Sequence, residues 1–317
     1  MTSRVLLPIS CLICGATDFA TLYNEVRGYA IVQCTKCRFI LATPQPSEEE
    51  LARFYSEDYG VARRAPAVGI HVDKRLFRRG QFIAEIMRQH HQRAHRVAEI
   101  GCSSGYGLYV LRQMGYDVKG FEISEPLVRI GRNDLHLNIA TRSLPEPDER
   151  FDAIVLRHVL EHLRNPDLCL DALHRNLMPG GILIIAVPNI RSWSAVLCGK
   201  YWDWMDPPLH LSYFCQDTLA ALVNAHGYDV QDTFTKRGDH MNLYLTCLYG
   251  LVLKTRTRDL IKPAFGGLNT TGKGAGDIVR RMVVRWTDVL HYLTYPAWWA
   301  ARRSGRAEEL WVVARRV

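Results

Sequence analysis

Apolar positions in this chain gather into short blocks, and most are too brief and too continuous for amphipathic helices. Val97, Ala98 and Ile100 form such a block and stop at Gly101, which predicts the end of a buried strand. Residues 117–121, 137–140, 151–156 and 182–187 predict four more strands, the last entered through a turn at Leu177-Met-Pro-Gly-Gly181. Between them, 126–133 reads as a helix, and 73–92 as a basic amphipathic helix leading into the first strand. Strands alternating with helices through short connectors predict a doubly wound, mostly parallel α/β sheet. A sixth strand opens at Gly227-Tyr-Asp-Val230, and 309–316 supplies a seventh, expected to be antiparallel. Ser47 and Glu50 have the spacing of a capping box for a short helix. No apolar run approaches the ~20 residues of a membrane span.

Before this pattern begins, four cysteines stand as Cys11-x2-Cys14 and Cys34-x2-Cys37. Two such knuckles bring four thiolates around one Zn²⁺, with no open position for chemistry. Two disulfides or unrelated thiols are the alternative. The other five cysteines are scattered and read as packed thiols, Cys102 among them.

The stretch Glu99-Ile-Gly101-Cys-Ser103-Ser-Gly105-Tyr-Gly107 carries the clearest chemistry. Glycines after a strand allow a tight turn into a helix whose N-terminus favours ligand oxygens. Glu122 closes the next strand 21 residues after Gly101, where a doubly wound fold holds ribose hydroxyls. The glycine spacing does not fit G-x-G-x-x-G. It resembles motif I of class I S-adenosylmethionine-dependent methyltransferases, with Ser103 at the middle glycine. The resemblance implies a seven-stranded Rossmann-like core and places Glu99 near the methionine amino end of S-adenosylmethionine. Glu122 then falls on the ribose diol, with Gly101, Ser103, Gly105 and His158 as further cofactor contacts.

His158-Val-Leu-Glu161-His162 follows the fourth strand, as in that superfamily. Glu161 and His162 suit a metal or acid–base pair by type, but adjacent helical positions are not expected to converge on one ion. Enzymes of the metal-dependent O-methylating class place acids at this strand end. Arg157 and His158 stand there instead, so the chemistry is expected to be metal-independent, with chelation loosening the ribbon without stopping turnover at once. After the fifth strand, Trp193 and Trp202, with further aromatics and Pro207-Pro208, suggest a lid over the ligand crevice. Tyr55 and Tyr59 are candidates for another pocket wall, or for local packing. His210 is the candidate general base, its imidazole suited to taking a hydroxyl proton, or else a cap of the next helix. Its segment resembles the His-x-x-Tyr/Phe-Phe signature of zinc-ribbon sugar C-methyltransferases. Pro207 replaces the tyrosine found there, which favours O-methylation.

Charge then separates the two ends of the chain. The net +8 lies wholly in residues 252–317, which hold 13 Lys and Arg against 5 Asp and Glu. Helical residues 277–295 and the Trp and Arg residues to 303 suit a membrane interface, a helical cap or a dimer surface. Gly-rich 266–276 reads as a loop. The division expected is a zinc ribbon at 1–46, a helical linker at 47–94, the cofactor core at 95–241, a basic insertion at 242–305 and a last core strand at 306–317. The leading expectation is an enzyme methylating a hydroxyl of a small-molecule, sugar or glycan acceptor, cytoplasmic or peripheral at the inner membrane face. An RNA-modifying enzyme is disfavoured by the neutral first 251 residues. A non-catalytic cofactor-binding adaptor is the third alternative.

Overall fold

The computed structural model describes residues 10–47, 49–51, 74–237 and 295–317. Tyr55, Tyr59, the glycine-rich 266–276 and most of the basic helical segment 277–303 lie outside them. The described residues form two compact units, one of 10–187, 207–233 and 311–317, the other of 188–206, 234–237 and 295–310.

The first unit opens with three antiparallel strands, β1 (Phe19–Val26), β2 (Tyr29–Cys34) and β3 (Ile40–Thr43). Ser47 and Glu50 cap each other reciprocally, at 2.8 and 3.1 Å, as their spacing predicts. Helix α1 (Lys74–His90) then precedes β4 (Arg96–Ile100), α2 (Tyr106–Gln113), β5 (Asp117–Phe121) and α3 (Glu125–Asn133). The chain continues through β6 (Ile139–Ala140), β7 (Phe151–Arg157), α4 (Pro166–Asn176) and β8 (Leu177–Pro188). After α5 (Trp193–Cys198) come β9 (Ser212–Tyr213), α6 (Gln216–Ala225), β10 (Tyr228–Lys236), α7 (Tyr295–Arg303) and β11 (Glu309–Arg316).

Seven strands form one sheet in the order β10-β11-β8-β7-β4-β5-β6, with parallel pairing from β8 through to β6. Val97, Ala98, Ile154, Leu156 and every residue from Ile182 to Val187 are fully buried. Strands covered on both faces have no polar side to alternate with, hence the continuous apolar blocks. The Pro-Gly-Gly segment is a bulge within β8 rather than a turn before it. The register passes from Phe151↔Leu177 to Ala153↔Ile182, and the left-handed Gly180 lies in the extra residues.

The short strand β9 was not legible as a strand. It joins the N-terminal sheet, pairing Ile40 with Tyr213 and Leu41 with Ser212, and Ala42 N–H donates to Leu211 O at 2.9 Å. Phe39 packs on Phe214 with ring centroids 5.4 Å apart. The cysteine-bearing ribbon and the segment just after His210 are therefore parts of one sheet.

In the second unit, Asn189 donates to the carbonyls of Gly305 and Ala307 at 3.1 and 2.9 Å. Ser194 Oγ donates to the buried Glu308 at 2.6 Å and accepts from the Trp202 indole at 3.0 Å. Burial pushes the Glu308 carboxyl up to about 7, against the hydrogen bonds from Ser194, Trp202 and Ser192. Trp202 is 1% exposed, so with its N–H committed it builds the core of this unit rather than an open pocket wall. Trp193 is half-buried. No helix among the described residues is long and apolar enough to cross a membrane.

Candidate functional site

The carboxyl ends of β4, β5 and β7 lie side by side in the first unit, and the polar residues following them make the site. After β4, Gly101 and Cys102 donate their N–H groups to Phe121 O, which ties the turn to the end of β5. Gly101 has φ 63° and a Cβ there would come within 2.5 Å of Val159, so the position requires glycine twice over. Ser103 also adopts a left-handed φ of 55°, the region glycine occupies most easily. Serine at the middle position of the motif thus keeps the backbone shape that the missing glycine would provide. Gly105, the N-cap of α2, completes the turn.

Two carboxylates face this turn in different states. Glu122 is fixed by backbone donors, with Ser103 N–H on Oε2 and Ser124 N–H on Oε1, both at 2.9 Å. Its position is set before any ligand arrives. Glu99 is buried, and its Oε2 has no hydrogen-bond partner. Burial pushes this carboxyl up to about 7, with Arg157 and Arg79 favouring the charged form and Glu122 opposing it. A Cβ at Gly107 would stand 3.2 Å from Glu99 Oε2, so the glycine leaves the carboxylate room. The chemistry of this pair suits a cofactor with an ammonium at one end and a diol at the other, Glu99 offering an unpartnered carboxylate oxygen and Glu122 a prepositioned acid. The neighbouring Cys102 is buried and its thiol is pushed well up, by burial first and then by Glu99 and Glu122, so it packs rather than reacts.

After β7 the chain makes a single 3-10 turn, Leu160–His162, instead of the α-helix expected. His158, left-handed at φ 54°, places Nδ1 3.2 Å from Glu161 Oε1. Glu161 is 1% exposed, and its Oε2 has no hydrogen-bond partner. His162 Nε2 lies 3.9 Å from Glu161 Oε1, while its Nδ1 bonds Leu209 O at 2.7 Å. His210, buried, stands edge-on to His162 with centroids 4.8 Å apart. Leu211 N–H to Glu161 O at 2.8 Å locks the two segments together, and Tyr213 OH donates to His210 O at 3.1 Å. The ligand atoms of Glu161, His162 and His210 lie within 4.8 Å of one another.

The expectation that Glu161 and His162 cannot converge is thereby overturned. It assumed helix geometry, whereas one 3-10 turn between non-helical neighbours releases the side chains from a helix surface. The third member, His210, arrives from the segment of Leu209, which lies 47 residues beyond His162, a juxtaposition with no local signal.

In the ribbon, Cys11 and Cys37 bring their Sγ atoms to 3.3 Å, and Cys14 and Cys34 to 3.6 Å. All four thiols are free of disulfides and lie within 4.8 Å of one another. Four soft donors converging from two knuckles fit a tetrahedral Zn²⁺.

Residues 69–233, just over half of the chain, match a family described as "Methyltransferase domain". A Mycolicibacterium smegmatis protein described as a "probable S-adenosylmethionine-dependent methyltransferase" is 31% identical over 52% of this chain and 63% of its own length. A ubiquinone biosynthesis O-methyltransferase of Cereibacter sphaeroides is 27% identical over 43% of this chain and 61% of its own. The chain thus spans about three fifths of these curated relatives. Among solved structures, an S-adenosylmethionine-dependent methyltransferase from Archaeoglobus fulgidus superposes with a TM-score of 0.43 at 16% identity, covering 75% of this chain and 94% of that one.

Proposed function

This chain belongs to the methyltransferase-domain family, and from that premise we propose that it transfers a methyl group from S-adenosylmethionine to a hydroxyl of a sugar or glycan, lipid-linked glycans included. The observation that carries the cofactor is the pair of carboxylates at adjacent strand ends, one prepositioned by two backbone N–H groups and one buried with an orphaned oxygen. S-adenosylmethionine, when bound, supplies a methyl group made electrophilic by its sulfonium. Glu99 holds the ammonium and Glu122 the ribose diol, with Gly101, Ser103 and Gly105 bending the backbone around them. His158 joins this cradle to the acceptor side through Glu161.

An attacking hydroxyl has to lose its proton, and the imidazole–carboxylate cluster around His210 is where the chain promotes that loss. Oxygen as the acceptor atom is supported by the relatives that carry O-methyltransferase names. The sugar class rests on the resemblance of the ribbon and the His210 segment to sugar methyltransferases. A zinc ion in the four-cysteine ribbon has a structural role in this reading. Contact with an anionic membrane surface through the C-terminal aromatics and arginines is supported by Trp299, 52% exposed with the Arg303 guanidinium 4.1 Å above its ring.

The test is transfer of labelled methyl from S-adenosylmethionine into a native-source extract, then separated into RNA, protein, lipid-linked and free-glycan fractions. Label in a glycan or lipid-linked fraction is expected. RNase-sensitive label would move the acceptor to RNA, and no label in any fraction would leave a cofactor-binding adaptor.

A further inference from the structure

We propose that Glu161, His162 and His210 form a second metal site, separate from the ribbon thiols, that takes a divalent ion of the Zn²⁺ or Co²⁺ kind. Three observations converge on it. The donor atoms of two imidazoles and one carboxylate, drawn from two segments, lie within 4.8 Å of one another. Ligands about 2.0–2.1 Å from one ion stand roughly 3–3.5 Å apart, so small side-chain rotations close the set.

The second observation is the carboxylate itself. Glu161 is 1% exposed, and while Oε1 is engaged by His158, Oε2 has no hydrogen-bond partner. A buried carboxylate oxygen without a partner is costly, and a cation removes that cost. The third is the tautomer of His162. A carbonyl can only accept, so the 2.7 Å bond to Leu209 O requires the proton on Nδ1; in the neutral imidazole Nε2, 3.9 Å from Glu161 Oε1, is then the nitrogen with the lone pair a metal would take. An imidazole held by a backbone carbonyl through its other nitrogen is the arrangement found behind metal-ligating histidines.

The donor chemistry also selects the ion. Mg²⁺ and Ca²⁺ prefer all-oxygen shells, whereas two imidazoles suit zinc and its neighbours. Three protein ligands leave a position open, unlike the four thiols of the ribbon. Binding stands on geometry alone; its use rests on the proposed methyl transfer, where an ion with an open position would acidify an acceptor hydroxyl. His210 would then be a ligand rather than the proton acceptor, which departs from metal-independent chemistry.

The test is Co²⁺ titration of the full chain, stripped of metal under reducing conditions, with absorption spectra and total metal analysis. Cobalt on four thiolates gives intense near-ultraviolet charge-transfer bands; cobalt on nitrogen and oxygen gives only weak visible bands. Two equivalents are expected, one with each signature. Glu161→Gln and His162→Gln should each keep the charge-transfer bands and weaken the second equivalent at least tenfold. A wild-type chain that takes one equivalent, with the thiolate signature alone, overturns the site whether or not the variants fold. So does a folded E161Q that binds both equivalents undiminished. Two equivalents with no methylation of any acceptor would sink the methyl-transfer reading and leave the site standing. One equivalent with active methylation would return His210 to the role of proton acceptor.

Discussion

The ribbon and the strand-end site gather donors in opposite ways. The ribbon takes its four sulfurs from two knuckles, each only four residues long, and the sulfurs face one another at 3.3 and 3.6 Å. The strand-end site is assembled from the ends of β4, β5 and β7 and from a crossing segment, and it leaves two buried carboxylate oxygens, on Glu99 and Glu161, without hydrogen-bond partners. A closed donor set has only the fold to serve. An open one, with orphaned acceptors under cover, is arranged for something that arrives. Changes in the ribbon should therefore appear as lost stability, and changes at the strand ends as lost binding.

The sharpest break of that contrast is Cys34→Ser. A zinc ion in the ribbon, as proposed, would tie its binding energy to folding, so the expected loss is about 4 kcal/mol or more, read by thermal or denaturant unfolding. Because β3 pairs with β9, amide exchange should also quicken at 211–213, which mass spectrometry would show. Unchanged protection there would mean that the ribbon's sheet does not depend on its four-thiol set.

Glu122→Ala comes next and belongs wholly to the other side. The change removes two backbone hydrogen bonds and the proposed ribose contacts. Charge-assisted bonds contribute about 1.5–3 kcal/mol each, so S-adenosylmethionine should bind on the order of 100-fold more weakly by calorimetry. A Kd within threefold of wild type would remove Glu122 from the cofactor site.

The same contrast explains what was legible in the chain. The knuckles, the Glu99–Gly105 turn and Glu122 sit at fixed local spacings, and continuous apolar blocks announce strands covered on both faces. Strand β11 lies at 309–316 as expected, because a run of five buried residues between charges leaves little choice. What failed depended on distance or on tight geometry. Strand β9 is two residues long and has no period to detect. The 3-10 turn after β7 looks like the start of a helix. Trp202, expected in an aromatic lid over the crevice, is packed in the second unit, where its indole donates to Ser194, a partner no local pattern announces.

A smaller effect separates the two acids of the strand-end site. The Glu99 carboxyl, at about 7 when folded, stands above its ordinary value of 4.5. Its contribution to stability is therefore fully present below about pH 4.5 and is lost as pH rises through 7. Binding runs the other way, since an ammonium ligand needs the carboxylate. The Kd for S-adenosylmethionine should fall as pH rises from 6 towards 8, by at most about tenfold per unit. Glu99→Gln should flatten that profile and leave stability at pH 8 unchanged or raised, as removal of a desolvated buried charge allows. A profile of unchanged slope in the variant would assign the titration to another group.

Ser103→Gly should have the smallest effect, and it asks whether the turn tolerates serine or uses it. Glycine relieves the left-handed backbone at φ 55° but loosens the unfolded chain, and these terms are each about 0.5–1 kcal/mol and opposed. The N–H that Glu122 accepts belongs to the backbone and survives the substitution. Stability within about 1 kcal/mol of wild type and cofactor affinity within threefold are expected, from unfolding curves and calorimetry. A larger loss of affinity with the fold intact would mean that the serine hydroxyl itself meets the ligand, and that the departure from glycine in this motif is a contact rather than a substitution the turn absorbs.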